Sequence, residues 1–146
     1  MQEFVTNNIK ETNKVANDLA TSLESGQLIA LSGNLGAGKT VFVKALAVGL
    51  GISETITSPT FVLMKSYPVN YKQIKQLIHV DCYRLDASED LADIGLQDFL
   101  DDPQTLVVIE WADKLDNLPK NNLINVKMEF LGQDKRKIVI SSKLVG

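Results

Sequence analysis

Eight consecutive residues constrain this chain more than any others: Gly33-Asn34-Leu35-Gly36-Ala37-Gly38-Lys39-Thr40. They read G-x-x-x-x-G-K-T, the phosphate-loop (P-loop) pattern. Leu28-Ile29-Ala30-Leu31 precedes them, a short apolar run suited to a buried parallel strand. Val41 to Leu50 follows, apolar at nearly every position except Lys44, which suits a buried helix. Strand, glycine loop and helix therefore stand in the order the pattern needs. The glycines let the loop turn its N–H groups inward around a phosphate chain, and the helix N-terminus adds donors and partial positive charge. In such a loop Lys39 reaches the β- and γ-phosphates, and Thr40 offers a hydroxyl to Mg²⁺.

The rest of the chain must then supply an α/β fold. Residues 9 to 24 place Val15, Ala16, Leu19, Ala20 and Leu23 at helical spacing, with Asn8 and Glu11 in a capping arrangement and Gly26 as the stop. Thr55 to Pro59 is turn-prone. Phe61 to Met64 and Leu77 to Tyr83 read as strands joined by a polar link at Asn70 to Lys75, an antiparallel hairpin. Ser88 to Leu91 reads as a capped helix start, Gly95 to Leu100 as a second short helix, and Leu106 to Ile109 as another buried strand. Leu123 to Phe130 and Ile138 to Ile140 are late strands about a Gly132-to-Lys137 turn. This order predicts a P-loop NTPase-like, three-layer α/β domain with a mixed, largely parallel central sheet. The 146 residues suit one domain spanning 1–146.

A P-loop holds phosphate; phosphoryl transfer also needs an acid for the metal and a group that orients the nucleophile. Glu110 ends the Leu106–Ile109 strand, where ligands of open α/β sheets lie, so it is a candidate for holding Mg²⁺ or orienting the attacking water. Asp81 interrupts an apolar strand on the face it shares with His79 and Tyr83, and a buried carboxylate needs a cation or donors. For His79 two readings stand, a hydrogen-bonded histidine of the sheet or a catalytic one. Trp111 is either core or a rim residue beside the nucleotide. Ser58-Pro59-Thr60 is a plain turn or a switch ordered by the γ-phosphate.

Bulk properties narrow the partners. The net charge of −3 and the absence of a basic run disfavour nucleic-acid binding by the chain alone, with the turn around Arg136 read as a solvated one. Cys82 is the sole cysteine, read as a buried thiol. The start Met1-Gln2-Glu3-Phe4 shows no signal peptide and no membrane span is visible, which predicts a cytoplasmic protein.

Taken together, Leu31 to Thr40, Ser58-Pro-Thr-Phe61, His79-Val-Asp-Cys-Tyr-Arg84, Glu89-Asp-Leu91 before Gly95, and Ile109-Glu-Trp111 occur in order. The set resembles the TsaE (YjeE) family, bacterial ATPases of tRNA threonylcarbamoyladenosine (t6A) synthesis, over about residues 10 to 131. The resemblance implies an ATP- and Mg²⁺-dependent protein that acts on TsaB-type and TsaD-type partners and touches tRNA only through them. By position it makes Gly33 to Thr40 the nucleotide loop, Lys39, Asp81, Glu110 and Thr60 the catalytic set, and Thr40, Asp81 and Glu110 the metal residues. The region Ile9 to Glu11 and the turn near Gln133 fall where the adenine contacts would be. Asp134 to Gly146 carries little of the pattern. Two other uses of the loop were weighed: a small-molecule kinase, disfavoured by having only Arg84 and Arg136, and a nucleotide-dependent binding module. A GTPase is disfavoured by the lack of a guanine-reading Asn-Lys-x-Asp after a strand.

Overall fold

A computed structural model describes residues 1–24, 26–34, 37–54, 56, 64–82, 95–112, 118–119 and 122–143. The elements run β1 (Gln2–Thr6), α1 (Ile9–Ser22), β2 (Leu28–Gly33), α2 (Lys39–Gly49), β3 (Met64–Tyr71), β4 (Ile74–Asp81), α3 (Gln97–Leu100), β5 (Thr105–Glu110), β6 (Leu123–Gly132) and β7 (Lys135–Lys143). One seven-stranded sheet joins all the strands in the order β1-β7-β6-β2-β5-β4-β3.

The sheet is mixed, but it is not largely parallel. The pairs β6–β2, β2–β5 and β5–β4 are parallel, whereas β1–β7, β7–β6 and β4–β3 are antiparallel. Parallel pairing is confined to the four middle strands, where crossovers cover both faces. The β3–β4 and β6–β7 hairpins, which need no crossover, build the flanks, and β1 adds to the outer edge of β7.

Alternation sorts the side chains onto two faces. Ile29, Leu31, Leu106, Val108 and Val126 face α1 and α2, which supply Ala16, Leu19, Phe42 and Leu46 to the larger core. Leu28, Ala30, Ile78, Val107 and Ile109 face the other way, toward Leu96, Phe99, Leu100 and Ala112. The three layers are therefore unequal. Among the described residues, one face carries the α1–α2 pair and the other carries only the single turn of α3.

The α1 cap forms as its sequence indicates: the Glu11 amide donates to Asn8 Oδ1 at 2.9 Å, and Glu11 Oε1 accepts from the Asn7 amide at 2.7 Å. The helix stops at Ser22 with Leu23 as its cap, three residues ahead of Gly26. α1 and α2 approach closely because Gly49 has no side chain; a Cβ there would lie 2.6 Å from Ala20 Cβ. The predicted hairpin exists, but its strands are longer and its turn tighter than the sequence indicates. β3 continues through Tyr71 and β4 begins at Ile74, because Tyr67, Val69 and Ile74 bury on alternate positions of a polar-looking stretch. Phe61 to Leu63, the turn-prone Thr55, Thr57 and Ser58-Pro59, and the Ser88–Leu91 helix start lie outside the described residues. β1 was not foreseen. No described helix is long and apolar enough to cross a membrane.

Candidate nucleotide site

The three central parallel strands end level with one another. Leu31 of β2 and Asp81 of β4 both stand opposite Glu110, the last residue of β5. β2 then runs directly into the glycine loop, so the loop and both acids share the carboxyl edge of the sheet. Gly33 has φ +149° and lies under the Met128 carbonyl oxygen, which any Cβ at this position would strike. Gly38, with φ 95°, is the N-cap of α2 and brings no side chain to cap its first amides. Uncapped amides at a helix start are donors held ready for an anion.

Lys39 is only 5% exposed although it carries an ammonium. Burying that charge requires compensation. Its Nζ donates to the Gly33 carbonyl at 2.5 Å and the Asn34 carbonyl at 3.0 Å. It also lies 3.8 Å from the centroid of the Trp111 ring, a cation–π contact. Trp111 is half-buried, packed against the smaller core cluster on one side and beside the loop lysine on the other. Its backbone has φ 59°, an uncommon conformation for a bulky residue and one that turns the chain sharply after Glu110.

Glu110 is buried at 2% exposure and both of its oxygens are engaged. Thr40 Oγ1 donates to Oε1 at 2.9 Å, and Oε2 lies 2.5 Å from His79 Nε2. A hydroxyl from α2, a carboxylate from β5 and an imidazole from β4 thus form one chain of contacts. Asp81 stands beside Glu110 in register and is half-buried. Thr40, Glu110 and Asp81 are hard oxygen donors of the kind Mg²⁺ takes. Among the described residues no group of three His, Cys, Asp or Glu side chains could cage a metal. Such a set fits a Mg²⁺ ion that is completed by water and substrate phosphates.

Beside the loop lies a hollow lined by Ile9, Thr12, Val41, Met128, Asp134 and Arg136, with Ala37 and Gly38 at its floor. The Arg136 Nε donates to the Ala37 carbonyl at 2.9 Å, and its Nη1 donates to the Gln133 carbonyl at 2.7 Å. Arg136 is thus a brace for the loop and not part of a solvated turn. Of the two adenine candidates, Glu11 has its carboxylate in the α1 cap, and Gln133 sits exposed in the β6–β7 turn. Ile9, which opens the Ile9–Glu11 region, and Asp134, beside Gln133, line the hollow. Leu35, Gly36, Ser58, Pro59, Thr60, Tyr83, Arg84 and Glu89 to Leu91 lie outside the described residues.

The family model described as "Threonylcarbamoyl adenosine biosynthesis protein TsaE" matches residues 6–138. The chain belongs to the TsaE family. A Treponema pallidum protein named tRNA threonylcarbamoyladenosine biosynthesis protein TsaE is 36% identical over 137 residues, covering 94% of this chain and 98% of that one. The Bacillus subtilis protein of the same name is 35% identical over 138 residues, covering 94% of this chain and 83% of its own length. The crystal structure of Bacillus subtilis YdiB superposes with a TM-score of 0.72 at 30% identity, covering 97% of this chain and 84% of that one.

In this TsaE chain, then, the structure brings Gly33, Asn34, Ala37, Gly38, Lys39, Thr40, Glu110 and Asp81 to one edge. Sequence reasoning missed three contacts there: the Trp111 ring against Lys39, the Arg136 brace, and the bond from His79 to Glu110. The adjacency of Trp111 to Glu110 was a usable signal for the first. The other two depend on strand register and left no local mark.

Proposed function

We propose that this chain binds ATP with Mg²⁺ at the Gly33–Thr40 loop and hydrolyses it slowly, as an accessory protein of tRNA t6A modification. The observation that carries this reading is the Thr40–Glu110 hydrogen bond at the start of α2, beside a buried loop lysine. It joins the hydroxyl and the carboxylate that phosphoryl-transfer sites use around Mg²⁺. Lys39 binds the β- and γ-phosphates, the α2 amides cradle them, and the hollow beside Gly38 receives the base. Thr40, Glu110 and Asp81 would hold the metal, which when bound would neutralise charge on the phosphates. Glu110 also accepts a hydrogen bond from the attacking water.

The chain acts on a complex of TsaB-type and TsaD-type proteins, which carry out the transfer to tRNA, so tRNA is contacted only indirectly. The net charge of −3 supports that division of labour. Slow turnover alone follows from the arginines. Arg136 is tied to carbonyls of the loop and of its own turn, which leaves Arg84 as the one other candidate within the chain. Fast transfer requires a further cation on the transition-state oxygens, often supplied in trans.

The experiment is t6A modification reconstituted from purified partners, with and without this chain, alongside a phosphate-release assay. Modification that needs the chain, and a hydrolysis rate raised by the partners, is the expected result. Partners that bind without raising the rate would leave a nucleotide-dependent binding module instead.

A further inference from the structure

His79 is the only histidine of the chain and takes no part in the reading above. It stands on β4 opposite Val108 of β5, on the strand face of Leu77 and Asp81, and is completely buried. Its Nε2 meets Glu110 Oε2, while among the described residues its Nδ1 has no hydrogen-bond partner. A histidine kept only for packing would satisfy both ring nitrogens or give way to an apolar residue like its neighbours Ile78 and Val80. Here Nδ1 has no partner among the described residues, and Nε2 is committed to Glu110. An ionised carboxylate oxygen only accepts, so with Glu110 ionised the hydrogen of this bond sits on Nε2.

We infer that His79 is the positioning residue for Glu110, an inference that rests on the role given to Glu110 above. Two donors set the carboxylate, one on each oxygen. The His79 donor is on a strand inside the sheet and stays in place. The Thr40 donor is at the start of α2 and is the group expected to change partner when nucleotide arrives. His79 therefore keeps Oε2 fixed and leaves Oε1 as the oxygen that is released toward the reacting groups. Without His79 the carboxylate loses its fixed end and can rotate about its terminal bond.

The test uses the full chain with His79→Leu, which removes the donor, and His79→Gln, which keeps an N–H donor at the same reach. Because there is one histidine, its ring nitrogens can be read by ¹⁵N NMR without assignment. The nucleotide-free protein should show a hydrogen on Nε2 that exchanges slowly with water, and Glu110→Ala should speed that exchange. A bare Nε2, or exchange unaffected by Glu110→Ala, overturns the inference. In steady-state hydrolysis His79→Leu should lower kcat about 10–100-fold, the usual effect of losing a partner that orients a site ligand, with KM for ATP nearly unchanged. His79→Gln should recover most of that loss. Wild-type kcat in His79→Leu, or equal loss of kcat and KM in both variants, also overturns it. If His79→Leu does not fold, the NMR result and His79→Gln decide: Gln must retain kcat well above that of Glu110→Gln. A Glu110→Gln protein as fast as wild type would instead remove the role of Glu110 itself.

Discussion

The Lys39 ammonium lies 3.8 Å from the centre of the Trp111 ring while its hydrogens go to the carbonyls of Gly33 and Asn34. The lysine that should meet phosphate is therefore already satisfied by its own loop. On the proposed function, nucleotide binding would exchange these partners, the indole among them, for phosphate oxygens.

Trp111 is the sole tryptophan, so its fluorescence reports on that exchange. Adding ATP should change the emission intensity or wavelength in a saturable way, with a midpoint matching calorimetry. An emission spectrum unmoved at saturating ATP would mean that Lys39 keeps its partners when nucleotide binds.

Lys39→Ala should weaken ATP binding by about 1.5–3 kcal/mol or more, roughly 10- to 150-fold, the scale of a charge-assisted hydrogen bond. Calorimetry is the measurement. Because the buried charge leaves together with its desolvation cost, the thermal midpoint should fall much less than the affinity. Unchanged affinity would exclude the loop as the site.

Glu110→Gln preserves shape but removes the charge, and its single amide oxygen can accept from only one of Thr40 and His79. Binding of ATP should persist while hydrolysis slows by about 10²-fold or more, the range for a group that handles the proton of a nucleophile. Binding and single-turnover hydrolysis are measured separately. If Mg-ATP binding collapses as well, Glu110 is chiefly a metal ligand.

Gly49→Ala tests the packing of α1 on α2. The new methyl would sit 2.6 Å from Ala20 Cβ and 3.3 Å from the Asn17 Cα, so the helices must separate. Overpacking costs about 1–3 kcal/mol, and the better helix propensity of Ala returns about 1 kcal/mol at most. A net loss of up to about 2 kcal/mol is expected in denaturant unfolding, because neither helix has slack at that crossing. An unchanged unfolding midpoint would show that α1 can shift without cost.

What could be read from the sequence was whatever local pattern encodes. The β2–loop–α2 unit, the Asn8 cap and the acid at the end of β5 each carry their signal within a few residues. β1 does not: Gln2 to Thr6 contains only Phe4 and Val5 as apolar residues, and it exists because Gln2 to Thr6 pair with Ile140 to Arg136 across the whole length of the chain. β3 was misplaced for a related reason. As an edge strand it tolerates Lys65, Ser66 and Pro68, so its composition resembles a loop. The balance of parallel and antiparallel pairs was overestimated because strand order, unlike strand existence, has no local signature. The same holds within the site. The motif and the strand end marked Thr40 and Glu110 one by one, whereas their hydrogen bond and the His79 contact needed the strand register to bring them together.

The Arg136 brace bears on how the protein comes off the ribosome. Arg136 is made 99 residues after the Ala37 whose carbonyl it holds. At about 5–20 residues per second, that interval is about 5–20 s. The signature loop therefore emerges early and waits, with neither its brace nor the β7 partner of β6, while the remainder of the chain is translated. A nascent chain stalled before Arg136 would carry the whole motif and still lack the contact that ties the Ala37 carbonyl to β7, so the loop's support arrives late even though its sequence comes first.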